Sequence, residues 1–147
     1  PERSSAASDV YKRQMLNGAL GGLVAITAEP LMPTPLMAII IGGIGGALVF
    51  AGTELLTAMK IDDVVGAIPV HLIAGVWGTL AVPITNPDTS FGTQFLGTAS
   101  ICVFVFVVSI IIWSIMKATI GIRISEEAEK EGTDVAETGV IAYSIRD

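Results

Sequence analysis

Between Phe95 and Met116 the chain runs for 22 residues without a charge. About 20 apolar residues are what an α-helix needs to cross the hydrocarbon of a bilayer. Its many β-branched residues would favour a strand in a soluble protein, but the length of the run favours a membrane helix. Trp113 near its end, with Lys117 and Arg123 beyond, supplies an aromatic and basic anchor of the kind found at membrane interfaces.

The rest of the chain fits a membrane setting. Apolar residues make up 52% and charged residues 15%, with a mean hydropathy of +0.72, whereas soluble domains carry about 25% charge. The few charges cluster at the ends: residues 1–14 hold five, residues 122–147 hold ten, and the 107 residues between hold seven. A net charge of −6 with no basic patch excludes nucleic acid as a partner. The single Cys102 excludes an internal disulfide and a zinc site of several cysteines. Pro1 to Gln14 has no apolar core of the kind a secretory signal carries.

Four membrane segments are predicted, giving an all-α, polytopic membrane helical bundle. Residues 1–14 read as a polar, disordered leader. The first segment, 15–28, has only 14 uncharged residues. It reads as the later part of a longer helix, with a short re-entrant helix as the alternative. Pro30, Pro33 and Pro35 break the chain before the second segment, 36–59. There Ala38, Gly42 and Gly46, like Gly18 and Gly22 before them, recur at a spacing that lets two helices approach closely in lipid. Lys60 to Asp63 forms a polar hinge, where Asp62 or Asp63 is placed to cap the following helix. The third segment is 64–82 and the fourth 95–121. Residues 122–147 form an acidic tail, in which Ser125-Glu126-Glu127 reads as a helix start and Gly132 as its end. Bases stand at Lys60, Lys117 and Arg123, and none in the loops 29–35 and 83–92, so the tail is expected in the cytoplasm.

His71, the only histidine, lies inside the third segment. An ionisable group at that depth is costly and faces a protein interior or a wet cavity. On a regular helix Ala67, Gly75 and Gly78 share its face, with Thr79 beside them, so the imidazole has a small-residue surface next to it. Pro69 has no N–H, which leaves the carbonyl of Val65 without its helical partner and predicts a bend just before His71. Imidazole can donate through one nitrogen and accept through the other. Two readings stay open: a hydrogen bond to a neighbouring helix, or a role in transport or proton relay. A metal site is not expected, since no second histidine or nearby carboxylate accompanies His71. Neither is an enzyme, since nothing in the spacing links Ser100, Cys102 or Ser109 to His71 as a nucleophile.

Three ordered motifs carry a resemblance. They are Asn17-Gly-Ala-Leu-Gly-Gly-Leu-Val-Ala-Ile-Thr-Ala, Lys60-Ile-Asp-Asp-Val-Val-Gly-Ala-Ile-Pro-Val-His-Leu-Ile-Ala-Gly-Val-Trp-Gly-Thr and Gly121-Ile-Arg-Ile-Ser-Glu-Glu-Ala-Glu-Lys-Glu-Gly. Together they resemble the last four helices and cytoplasmic tail of the ammonium transporter (Amt/Mep/Rh) family. The resemblance implies a partial version of an eleven-helix fold, helices eight to eleven, in a homotrimer at the cell (inner) membrane. It implies ammonium or ammonia as the substrate, a narrow apolar pore in each protomer, and no cofactor. His71 falls on the second of the family's twin pore histidines, which are implicated in passing a proton while ammonia crosses. Gly132 and Asp134 fall in the regulatory tail, near where a PII signalling protein docks in many members. The threonine phosphorylated in some plant members corresponds to Ala136 here, so that switch is expected to be missing.

The first pore histidine, the aromatic recruitment site and the phenylalanine gate belong to family helices with no counterpart here. Residues 1–14 do not resemble the family. The expectation is a fragment joined to an unrelated leader, which sequencing across the junction from native DNA tests. On this reading the fragment alone does not conduct. The alternative function, from another class, is a small regulatory membrane protein acting through its acidic tail.

Overall fold

A computed structural model describes residues 2–140, with side chains from Lys12 onward. Pro1 of the predicted leader and residues 141–147 of the predicted tail lie outside the described residues. Every regular element is helical: α1 (Glu2–Ile26), α2 (Pro35–Ala58), a π-helical turn (Ile68–Ile73) continuing into α3 (Ala74–Thr85), α4 (Phe91–Thr119), and the short α5 (Glu126–Glu131) and α6 (Thr133–Thr138). The chain forms two compact units, residues 1–102 and residues 103–147.

The helix ends follow from local chemistry. Thr34 caps α2 by accepting the Met37 N–H at 3.3 Å, and Pro35 occupies the first turn, where no N–H is needed. At the other end Lys60 adopts φ +57°, with Lys60 N–H donating to Thr57 O and Ile61 N–H to Leu56 O. This is a Schellman ending with lysine where glycine is usual. Gly121, at φ +82°, closes α4 in a related way, its N–H reaching Met116 O at 3.1 Å.

The element bounds differ from the expected ones at two places. Residues 2–14 lie in the first half of α1. Their Ser, Ala, Glu, Arg, Lys and Gln residues tolerate a helix, and extending a formed helix costs far less than nucleating one. Arg13 Nη1 also donates to Val64 O at 3.3 Å and Gln14 Nε2 to Glu54 Oε1 at 3.2 Å. The third segment begins and ends later than 64–82. Val64 to Gly66 form a turn, and the helix continues past Pro83 to Thr85.

In the first unit α1 and α3 run parallel, with α2 antiparallel to both. Gly18 faces Gly46 and Gly22 faces Gly42. A β-carbon on Gly46 would stand 2.9 Å from Gly18 O, and one on Gly22 would stand 3.0 Å from Gly42 O. The small-residue spacing read from the sequence is therefore a backbone-to-backbone seam between α1 and α2. Two buried clusters flank it, Ala25, Ile41 and Ala81 in one and Val49, Val70 and Ala74 in the other. Trp77 packs against the first cluster, and its Nε1–H donates to Ile41 O at 3.0 Å.

The outer surface is apolar. None of the α4 residues is buried, and Phe95, Leu96, Val103, Phe104 and Phe106 are each more than half exposed. Pro35–Ala58, Ile68–Thr85 and Phe91–Thr119 are each long and apolar enough to cross a bilayer. The chain is an all-α, multi-pass membrane bundle.

Candidate functional site

The hinge before the histidine is organised by one carboxylate. Asp63 Oδ1 accepts the N–H groups of Gly66 (3.0 Å) and Ala67 (2.9 Å), and Oδ2 accepts that of Ile68 (2.8 Å). Three free donors at a helix start are thus met by a single side chain. Asp62 makes none of these bonds. It lines an open cavity of about 390 Å³ with Thr53, Thr57, Lys60 and Asp63.

The π-turn follows. Val65 proves to lie in the turn ahead of the helix, outside its hydrogen-bond ladder, and its carbonyl accepts the side-chain N–H of Asn17 on α1 at 3.1 Å. Pro69 stands in the first turn, where a missing N–H leaves no helix carbonyl unpaired. Beyond it, the Ala74 N–H bonds Pro69 O five residues back, the signature of the wider turn. Pro69 and Val70 are buried while His71 is exposed. The helix expected to bend at Pro69 instead starts just before it, in a π-turn that carries the histidine.

His71 opens onto a groove of about 290 Å³. Leu72, Gly75, Val76 and Thr79 line one wall, and Gln94, Gly97, Thr98, Ile101 and Cys102 of α4 the other. Among the described residues none hydrogen-bonds the imidazole, so both ring nitrogens are open to a guest or to a further helix. The wall is mainly apolar with a few polar groups, the usual make-up of a small-molecule site. Thr79 Oγ1 donates to Gly75 O at 3.0 Å, which leaves its lone pairs for a guest.

The face read from a regular helix is split. Gly75 and Thr79 share the groove with His71, but Gly78 is buried on the other side, where a β-carbon would collide with the Ala25 carbonyl oxygen. Ala67 sits exposed in the turn before. The widened turn rotates His71 relative to the residues after it, which a constant helical period does not allow for. The α4 wall was not foreseen. The sequence signal for it is weak: Gln94 and Thr98 are uncharged polar side chains four residues apart, but Thr93, Ser100, Ser109 and Ser114 on the same helix are polar too. Cys102 shares the groove but has no base beside it on α4. Among the described residues no group of three metal-binding side chains occurs.

In the second unit, Gly132 separates α5 from α6 at φ +104°, and Asp134 folds back so that a β-carbon on Gly132 would lie 2.7 Å from Asp134 Oδ1. Ser125 caps α5 by accepting the Ala128 N–H at 3.2 Å.

The sequence profile of the Ammonium Transporter Family matches residues 10–143. The chain belongs to this family. It is 40% identical over 126 residues to a Synechocystis sp. protein whose name assigns it to ammonium transport, covering 84% of this chain and 28% of that one. It is 35% identical to the ammonium transporter Amt1 of Haloferax mediterranei, over 88% of this chain and 26% of the relative. It is 37% identical to the ammonium transporter of Bacillus subtilis, over 87% and 36% respectively. The chain thus spans about a quarter to a third of the length of the relatives it matches. Members of this ammonium transporter family are transporters and not enzymes, which sets aside His71 as the base of an intramembrane enzyme.

Proposed function

We propose that this chain supplies the last four membrane helices and the cytoplasmic tail of an ammonium transporter, equivalent to helices eight to eleven of eleven. His71 lines the pore and relays a proton while neutral ammonia crosses. The observation that carries the reading is the placement of His71: exposed on a π-turn, in a mainly apolar groove, with both ring nitrogens open. A full charge at mid-membrane is expensive, whereas a neutral amine and a relayed proton cost less. The regulatory tail includes Gly132 and Asp134 and faces the cytoplasm, where the bases at Lys60, Lys117 and Arg123 favour retention. The whole protein assembles as a homotrimer, with a PII signalling protein as the partner at the cytoplasmic face.

Replacing His71 with alanine in the full-length transporter tests the relay. Ammonium-evoked current and methylammonium uptake are expected to fall, or selectivity against potassium to be lost, with assembly intact. Unchanged current together with unchanged selectivity removes the role.

A further inference from the structure

We propose that Asn17, on α1, is a positioning residue for His71. The inference rests on the transport reading and extends it to a residue that does not line the groove. Val65 stands in the turn ahead of the helix, and Gly66 after it takes φ +78°, so the Val65 carbonyl lies outside the helix's own hydrogen-bond ladder and is left for an outside donor. Asn17 Nδ2 is that donor, at 3.1 Å. The same amide lies where a β-carbon on Gly66 would go, and Gly66 has φ +78°, so Asn17 and the left-handed Gly66 fit only together.

From the other side, Gly52 on α2 seats the turn. A β-carbon there would stand 2.5 Å from Ile73 Cδ1 and 3.1 Å from Pro69 Cβ. Pro69 and Ile73 are therefore held against α2 while Asn17 holds Val65 from α1. His71, between Pro69 and Ile73 in sequence, is left on the open side. By fixing the turn from which the helix carrying His71 starts, Asn17 sets how the imidazole meets its groove.

Residue 17 itself provides the test. Asn17→Ala removes the donor, and Asn17→Asp keeps the shape but presents Val65 O with an acceptor instead of an N–H. Both are made in the full-length transporter and assayed for thermal stability, ammonium current per assembled protein and selectivity against potassium. Each is expected to lower stability and to reduce current by up to about a hundred-fold, which misplacing a reacting group by about 1 Å can cost, or to lose selectivity. Wild-type current and selectivity in either variant overturn the proposal, so it stays open to refutation even where one of them fails to assemble. A wild-type transporter without ammonium current overturns the transport reading itself, whereas a His71-sensitive wild-type current that Asn17→Asp leaves unchanged overturns the positioning role alone.

Discussion

At Asp63 one side chain accepts three backbone N–H groups at 2.8–3.0 Å, and that of Gly66 also reaches the Asp63 backbone carbonyl at 3.2 Å. Asp63→Ala is expected to cost about 1–2 kcal/mol, the upper part of the range for a lost cap, whereas Asp62→Ala leaves stability unchanged; thermal unfolding in detergent compares the two. The sequence placed both aspartates at the helix start, and only the fold shows which one turns inward. Gly75 and Gly78 make a second contrast. Gly78→Ala drives a methyl into the Ala25 carbonyl and is expected to destabilise by about 1–3 kcal/mol. At Gly75 the nearest atom to an added β-carbon is Val24 Cγ1 at 3.9 Å. Gly75→Ala is therefore expected to be neutral, or stabilising by up to about 1 kcal/mol through helix propensity. Equal losses in a melting assay would contradict the split face.

Among the elements, α1 and α2 depend on each other more than on their own sequences. Their seam works because neither backbone carries a side chain at Gly18, Gly22, Gly42 or Gly46. In lipid this close contact takes the place of hydrophobic burial. Gly46→Leu is expected to prise the helices apart at a cost of about 3 kcal/mol or more, as overpacking does, while Gly43→Leu, with no atom within 4 Å of the added β-carbon, is tolerated. Thermal melts of the two variants in detergent give the comparison. The four-residue spacing made this seam legible in the sequence. The π-turn was not legible: Pro69 is compatible with the first turn of a helix, and nothing local announces the side chain 48 residues earlier that holds Val65 O.

For the molecule as a whole, the groove beside His71 has two walls, from the π-turn with α3 and from α4, and its other sides are open. A pore that excludes water and ions needs to be enclosed. Residues 1–147 expressed alone are therefore expected to insert into membranes without carrying ammonium current, while the full-length transporter conducts; a current from this chain alone would refute the need for further helices. Long uncharged runs by themselves determined that the chain is a helical membrane protein, because about 20 apolar residues are a helix's span of the bilayer and a helix satisfies its own backbone hydrogen bonds there. The motifs determined its family, and the lone histidine marked the candidate site. Only the tertiary structure decided which side of the helix His71 occupies, that Gly78 faces α1 instead of the groove, and that Gln94 and Thr98 stand opposite. Those outcomes depend on side chains and backbone of one helix meeting those of another, and a local pattern of residues does not encode contacts between distant parts of the chain.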